Sequence, residues 1–296
     1  MAAADRYTPP TALADLHILD VLELAGSQAR AGAVLALHQS TVCRSLKLMQ
    51  QQFRLVPEQG PAVCRHGHNR CLQHLRLASR EHRLMGGVVR IGTDPLHQRL
   101  LLSAAPVQRI PARCRSADHW AELVRHALID GALVSSYALP DPLLSGQEPQ
   151  WPGVRALHLG RLELQLVAPM PECRQVLLPP KTSAPLLHQV LAEEGFGLQQ
   201  QPAARQETSA WLKRAHERNL ALPICRPLVE PGWLAAQGLI PLHTRSPLIE
   251  QLWLLLPADA TGNDAVRRCS LDLRRKLQRA SSATSGSAAQ PAPGPA

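Results

Sequence analysis

Aromatic residues are scarce in this chain. Phenylalanine, tyrosine and tryptophan account for 3% of the 296 residues, although hydrophobic residues as a group account for 45%. This hydrophobic content supports folded cores, and the length is sufficient for two or three compact units. Those cores must therefore be built mainly from leucine, valine and alanine.

Segments that would insert into a membrane are missing as well. No uncharged apolar stretch approaches the ~20 residues that cross a bilayer. Residues 1–12 lack the basic start and the apolar core of a secretory signal. The seven cysteines are an odd number without the spacing of a disulfide framework. The sequence therefore predicts a cytoplasmic protein with free thiols and no membrane partner.

Catalytic motifs are also absent from the sequence. It contains no Gly-x-Ser-x-Gly, no phosphate-binding glycine loop and no paired-carboxylate motif, and its 13 histidines are scattered. We therefore expect no enzymatic activity, no catalytic residue and no cofactor.

Acidic residues are outnumbered by basic ones. The chain has 32 lysines and arginines against 23 aspartates and glutamates, which gives a net charge of +9. This excess favours a polyanionic partner, although alone it indicates only nonspecific attraction. Several arginines lie in one stretch that is either a solvated helix face or part of a polyanion-binding surface. They are Arg65, Arg70, Arg76, Arg80 and Arg83.

Residues 26–53 predict two short helices around a tight turn. In the second helix Val42, Leu46, Met49 and Phe53 recur at helical spacing, so they share one face. The remaining surface carries side chains that can bind phosphates or base edges. These are Gln39, Ser40, Thr41, Arg44 and Lys47. Such a helix suits the major-groove position of a helix-turn-helix, and the alternative is an ordinary solvated helix.

The order of the surrounding segments resembles that of LysR-type transcriptional regulators. Gly26-Ser27 precedes an alanine-rich helix, and Gly67 precedes a long helical stretch. Gly87 to Gly92 resembles the strand that opens the effector domain of that family. The recognition run of the family, Ser-Gln-x-x-Val-Ser-Arg, is matched in part by Gln39, Val42 and Arg44, and Leu46, two positions further on, also matches the family.

The resemblance implies an α/β protein in three parts. An N-terminal winged helix-turn-helix (residues 12–67) is followed by a linker helix (68–86). A two-lobed effector domain of the type 2 periplasmic-binding-protein kind then covers 88–279. Lobe I is expected at about 88–163 and 246–279, and lobe II at about 164–245. Residues 280–296 lack charge and large apolar side chains, so we expect a disordered tail.

The segment after Val88 supports this α/β assignment, because short apolar runs alternate with helical patterns. The strand-like runs are 88–92, 131–135, 162–168, 175–178, 220–224 and 251–256. The helix-like runs are 119–128, 186–194, 209–218, 228–236 and 264–278.

The function implied by the resemblance is transcriptional regulation controlled by a small molecule. Double-stranded DNA would be contacted by Ser27, Gln39, Ser40, Thr41, Arg44 and Lys47. The effector would lie between the lobes, where polar residues at strand ends are the candidates. These are Thr93, Arg115, Ser116, Ser135 and Thr208.

Several positions depart from the family pattern. His38 and Cys43 replace the serines of the recognition run, and the wing, Leu55 to Pro61, lacks the arginines that normally grip phosphate. The alternative is therefore a degenerate relative, a ligand-binding or protein-interaction module without sequence-specific DNA binding.

Two further predictions concern assembly and metal binding. Leu72, Leu75 and Met85 form an imperfect stripe on the linker helix, so we expect a homodimer or homotetramer that uses it. The run Cys64-x-His66-x-His68-x-x-Cys71 has metal-binding residue types, but its spacing is not that of a known zinc pattern. We therefore expect no metal site.

Overall fold

The computed structural model describes residues 7–59, 63–101, 107–139, 148–201, 208–260 and 262–286. Its helices are α1 (Ala14–Ala25), α2 (Gln28–Leu35), α3 (Gln39–Phe53), α4 (Arg70–Met85), α5 (Ala117–Arg125), α6 (Pro185–Glu193), α7 (Thr208–Arg218), α8 (Trp233–Ala236) and α9 (Asp264–Gly286). Its strands are β1 (Val89–Gly92), β2 (Val107–Arg109), β3 (Gly131–Ser135), β4 (Val154–Ala168), β5 (Gln175–Leu178), β6 (Gly197–Gln200), β7 (Leu222–Cys225), β8 (Ile240–Pro241) and β9 (Leu248–Pro257). None of the helices in these ranges combines the length and the apolar character that a membrane crossing needs.

Helices α1, α2 and α3 form the predicted helix-turn-helix unit. Gly26 ends α1 with a left-handed backbone (φ 76°), which residues other than glycine adopt at a cost. The hydroxyl of Ser27 then accepts a hydrogen bond from the Arg30 N–H and so caps α2. The predicted stripe on α3 is confirmed, because Val42, Leu46 and Met49 are buried. Phe53, the fourth position of the stripe, is partly buried against the same cluster.

The wing is short and contains neither helix nor strand between Leu55 and Gln59. Among its described residues, a backbone bond from the Glu58 N–H to the Arg65 carbonyl (3.0 Å) pairs its two sides. The last two residues of the predicted wing, Gly60 and Pro61, lie outside the described residues.

Helix α4 is the predicted linker helix, but its apolar stripe is not exposed. Leu72 is fully buried in the core of the helix-turn-helix unit, and Leu75 packs against the same core. Met85 is 85% exposed. The prediction that Leu72 and Leu75 offer a dimer surface is therefore wrong, because this face of α4 covers α1 and α3 of the same chain.

The remaining chain forms two lobes around a mixed sheet with the strand order β2-β1-β3-β9-β4-β7, in which β8 also pairs with β4. The β1–β2 and β1–β3 pairs are parallel, whereas β9 is antiparallel to both β3 and β4. Strands β5 and β6 make a separate parallel pair. This is the fold class that the sequence predicts.

Strands β4 and β9 are long and run through both lobes. Near its start β4 pairs with the end of β9, and near its end it pairs with β7 and β8. Lobe I therefore contains β1–β3 with α5 and α9, and lobe II contains β5–β8 with α6–α8. A small cavity of about 20 Å³, lined by residues of both lobes, lies beside the two shared strands.

Helix α9 extends further than the sequence predicts. The tail was expected to be disordered from residue 280, but the helix continues to Gly286. Ala280 is buried, and the Ser281 hydroxyl bonds to the carbonyls of Leu277 and Arg161. These contacts anchor an additional turn, so the prediction is wrong for 280–286, while 287–296 lie outside the described residues.

A buried ionic network joins the helix-turn-helix unit to lobe I. Arg76 of α4 bonds to Asp20 of α1 (Nε–Oδ1, 2.8 Å). Arg83 of α4 bonds to Asp130, just before β3, through two contacts of 2.6 and 3.2 Å. Arg90 of β1 lies 3.8 Å from Asp20 and donates its backbone N–H to Asp130 (2.6 Å). These arginines are fully buried, so the linker arginines are not a simple solvated face.

Candidate functional site

Helix α3 has one buried and one exposed face. Gln39, Ser40, Arg44 and Lys47 are exposed, and Thr41 is half-buried. The helix contains no aspartate or glutamate, and no described residue forms an ion pair with Arg44 or Lys47. The free face is therefore polar and cationic, as a surface that binds a polyanion must be.

The start of α3 is ordered by side-chain contacts. His38, which replaces a serine of the resembling family, accepts a hydrogen bond from the Ser40 N–H through Nδ1 (3.3 Å). The same nitrogen lies 2.8 Å from the Ser40 hydroxyl. Gln39 donates to Gln28 of α2 (3.5 Å). His38 therefore caps the N-terminus of α3 in place of the serine. Cys43, which stands at the position of the other replaced serine, is partly buried.

A second candidate site is a polar cavity of about 420 Å³ between the helix-turn-helix unit and the two lobes. Arg113 and Arg115 reach it from the segment before α5, and Arg65 reaches it from the segment before α4. Ser116, at the N-terminus of α5, lines it as well. Lobe II contributes Thr182-Ser183.

Two of these arginines are held by the C-terminal end of α1. Arg115 donates to the Leu24 carbonyl (2.7 Å), one of the last carbonyls of that helix. The guanidinium of Arg113 lies against Gly26, where a Cβ atom would meet its NH1 at 1.6 Å. The partial negative charge at a helix C-terminus favours cations. Gly26 is therefore favoured by its backbone angle, and a side chain at this position would displace the guanidinium of Arg113.

The arginines of the cavity repel one another. Burial, together with the charges of Arg113 and Arg65, lowers the pKa of Arg115 to about 9. Burial and Arg65 also lower the pKa of Arg113. The NH1 group of Arg115 is buried without a hydrogen-bond partner among the described residues. Cations with unused donors in a cavity form a site that would accept an anion.

Between the lobes, a cluster of buried polar side chains forms hydrogen bonds within itself. His97 bonds to Asp94 through Nδ1 (2.9 Å) and to Glu250 of β9 through Nε2 (2.7 Å). Burial alone would lower the pKa of His97, but these carboxylates raise it well above its usual value. The Ser135 hydroxyl donates to the other oxygen of Glu250. A charged imidazole between two carboxylates thus ties lobe I to the shared strand.

The predicted effector residues do not come together in one place. Arg115 and Ser116 share the polar cavity, but Arg115 is held by α1 and Ser116 also caps α5 by accepting from the His119 N–H (3.2 Å). Ser135 is engaged with Glu250 and accepts from the Tyr137 N–H (3.1 Å).

The other two predicted effector residues lie apart from these. Thr93 is buried, and its hydroxyl has no hydrogen-bond partner among the described residues. Thr208 begins α7 and lines a separate, mainly apolar cavity of about 240 Å³ beside Trp211 and Trp233. The effector role of all five residues remains a prediction.

The sequence does not predict that several residues of these sites lie close together. Arg65 and Arg113 are 48 positions apart in the sequence, and Thr182 lies on the other lobe. Their proximity depends on how α1, the wing and the lobes pack. One pattern could have indicated the cavity. In Arg113-Cys114-Arg115 the two arginines point to the same side when the backbone is extended.

The structure is similar to several solved structures. ArgP from Mycobacterium tuberculosis is 15% identical, with a TM-score of 0.49 over 89% of this chain and 96% of ArgP. An OxyR variant from Corynebacterium glutamicum is 13% identical, with a TM-score of 0.47 over 97% and 98%. CbnR, described as a LysR family transcriptional regulator, is 12% identical, with a TM-score of 0.47 over 89% and 98%.

Comparisons of sequence add no relative to these structures. No family model matches the chain, and no curated protein matches it. Because the TM-scores are below 0.5 and the identities are low, the structural similarities assign no role to any residue of this chain.

Proposed function

We propose that this chain is a DNA-binding transcriptional regulator of the LysR type, controlled by a small anionic effector. The observation that carries this proposal is the two-sided character of α3. Its apolar side is buried on α1, and its opposite side exposes Arg44 and Lys47 without any acidic residue. A helix held in this way can enter the major groove.

The residues of the helix-turn-helix unit take distinct roles in this proposal. Gln39, Ser40 and Thr41 lie in the first turn of α3, the part of a recognition helix that meets base edges. Arg44, one turn further, can pair with the acceptor edge of guanine. The remaining two residues position the unit on the backbone: Lys47 by its charge, and Ser27 at the N-terminus of α2.

The effector site in this proposal is the polar cavity between α1, the wing and the lobes. An anion there would relieve the repulsion among Arg65, Arg113 and Arg115, and would meet hydroxyls from both lobes at Ser116 and Ser183. Binding would favour a closed arrangement of the lobes. Because Arg65 and Glu23 of the N-terminal region also line the cavity, closure would shift the orientation of the helix-turn-helix unit.

A homodimer or homotetramer is part of the proposal, since paired recognition helices bind paired half-sites. The stripe of Leu72 and Leu75 does not supply the contact, because it is buried within one chain.

The second candidate function is a ligand-responsive module without sequence-specific DNA binding. The observation in its favour is the wing, since Leu55 to Gln59 contains no basic side chain to grip phosphate. Selection of genomic DNA fragments by the purified full-length chain separates the two candidates. A shared motif among the bound fragments supports the regulator, and fragments without one support the module.

The effector site is tested by thermal unfolding in sulfate or succinate against chloride at equal ionic strength. The expected result is stabilisation that follows RT ln(1 + [L]/Kd), about 2.7 kcal/mol at a hundredfold excess over Kd. Arg113→Gln should abolish this stabilisation, whereas Arg155→Gln, an exposed arginine of β4, should retain it. Equal stabilisation of both variants would indicate a general salt effect and remove the cavity from the proposal.

A further inference from the structure

The folded chain brings three metal-binding side chains together at the junction of the helix-turn-helix unit and lobe I. Cys64 follows the wing, His68 precedes α4, and His126 caps the end of α5. Each offers one donor atom, and these donors all lie within 4.8 Å of one another. The two imidazole rings meet edge to face, with their centroids 4.6 Å apart.

These donors have few other commitments. The Nδ1 atom of His68 is buried and has no hydrogen-bond partner among the described residues. Buried polar atoms in folded proteins nearly always have a partner, so such an atom indicates a missing one. His126 directs Nε2 toward Glu122 at 3.5 Å, which leaves its Nδ1 available. Cys64 accepts a hydrogen bond from Arg76 (3.2 Å) and keeps further lone pairs.

A second cluster in the chain shows the contrast. His97, Cys225 and Glu250 also place their donors within 4.8 Å. There, however, both nitrogens of His97 are already bonded to carboxylates. That cluster is complete without an ion, whereas the cluster at the junction is not.

We propose that Cys64, His68 and His126 bind a zinc ion, with water as the fourth ligand. One thiolate and two imidazoles are ligands that zinc prefers, and Zn–S of about 2.3 Å with Zn–N of about 2.0 Å place tetrahedral donors roughly 3.3–3.6 Å apart. Closing the cluster from its present spacing requires side-chain shifts of about 1 Å. When Zn²⁺ binds, the Cys64 thiol loses its proton to solvent and the thiolate binds the ion.

The surroundings of the three residues are suited to such an ion. The Glu122 carboxylate lies 3.5 Å from Nε2 of His126, close enough to serve as the carboxylate partner of a metal-bound histidine. The positive charge of Arg76, next to Cys64, is balanced by Asp20 at 2.8 Å.

The site differs from the one that the sequence spacing suggests. Cys71 is exposed and outside the cluster, as its position on α4 predicts, and His126 replaces it from 55 positions further along the chain. The ion would therefore connect the start of α4 to the end of α5. In addition to the buried ionic network, the helix-turn-helix unit and lobe I would then share a metal-dependent contact. This contact is separate from the polar cavity.

The test uses the full-length, reduced chain after chelator treatment, titrated with Co²⁺ and then Zn²⁺. We expect a cobalt–thiolate absorption band that saturates at one equivalent and is bleached by zinc. Cys64→Ser should lose the band, and the matched variant Cys71→Ser should keep it. His126→Gln should weaken Co²⁺ binding at least about tenfold, since even outer partners of zinc ligands contribute about 10–100-fold.

His126→Gln also serves as the decisive variant if Cys64→Ser does not fold, because His126 is 24% exposed at the end of a helix. Circular dichroism confirms the folded state of each variant. The proposal is overturned if the parent shows no thiolate band, or if folded His126→Gln binds Co²⁺ as tightly as the parent. It is equally overturned if the band is lost in Cys71→Ser or Cys225→Ser instead.

Discussion

Glu23 carries a carboxyl group whose protonation is coupled to folding. It is 4% exposed and accepts the backbone N–H groups of Arg65 (3.2 Å) and His66 (2.8 Å), so it holds α1 to the segment after the wing. Burial raises its pKa from 4.5 to about 7, although those hydrogen bonds and the charge of Arg76 act in the opposite direction. The folded protein therefore favours the protonated acid.

This shift predicts the direction of a pH effect. The contribution of Glu23 to stability is complete below pH 4.5 and is lost as the pH rises toward 7, by at most about 3 kcal/mol at 1.36 kcal/mol per pKa unit. Urea unfolding at a series of pH values should show that Glu23→Gln gains stability relative to the parent over this interval. Glu217→Gln, at an exposed position of α7, should show a constant difference. A constant difference for Glu23→Gln would contradict the assignment.

Other single residues show what sequence patterns can and cannot provide. The exposed positions of Arg44 and Lys47 follow from helical periodicity, because the apolar stripe fixes which side of α3 is buried. The position of Arg115 does not follow, since its partner is the carbonyl of Leu24, 91 residues away. The sequence places Arg115 beside the effector cleft, but not against the end of α1.

Among the elements, α4 has the most consequential packing. It covers the helix-turn-helix core with Leu72 on one side and contributes Arg76 and Arg83 to the ionic network on another. Its apolar stripe is imperfect because the helix packs against the helix-turn-helix core with apolar side chains and bonds to the ionic network with charged ones. The stripe was therefore misleading as an indication of a dimer surface.

Leu72→Ala tests the packing of α4. Removing a fully buried leucine should lower the free energy of unfolding by about 2–5 kcal/mol, with the oligomeric state unchanged. Met85→Ala, at a position that is 85% exposed, should change stability by less than about 0.5 kcal/mol. Denaturant unfolding and light scattering provide the two measurements. Dissociation of an oligomer by Leu72→Ala without loss of stability would restore the dimer interpretation.

Asp130→Asn tests the network between α4 and the sheet. Asp130 bonds to Arg83 and to the backbone of Arg90, so loss of its charge leaves two buried cations with less compensation. We expect a loss of about 3–5 kcal/mol in unfolding free energy. Asp259→Asn, which removes the 70% exposed partner of Arg80, should cost no more than about 1 kcal/mol. Equal effects of the two substitutions would show that burial of the network is unimportant.

The secondary structure was predictable where the pattern is local. The runs 131–135 and 175–178 coincide with β3 and β5, because apolar runs of four or five residues are long enough for a strand but short for a helix. Strands β2, β6 and β8 were not predicted, because β2 and β8 have three and two residues and β6 alternates weakly. The predicted start of β4 was eight residues late, because Arg155, His158 and Gly160 interrupt the apolar residues of its first half.

At the scale of the whole molecule, the helix-turn-helix unit and lobe I share buried surface. Leu24 and Cys64 belong to the same apolar cluster as Trp120 of α5, and Asp20 reaches the arginine of β1. Both the polar cavity and the proposed zinc site lie along this boundary. A ligand at either place would act directly on the contacts that hold the helix-turn-helix unit against lobe I. In the proposed function, these contacts would couple ligand binding to DNA binding.

The central claim is that the exposed face of α3 reads DNA, and one comparison of affinities tests it most directly. The parent, Arg44→Ala and Arg155→Ala are titrated onto a DNA sequence selected by the full chain, and onto a scrambled sequence, at two salt concentrations. We predict that Arg44→Ala loses about 1–3 kcal/mol on the selected sequence and much of its preference over the scrambled one, while Arg155→Ala matches the parent. Unchanged affinity and preference in Arg44→Ala would contradict the claim.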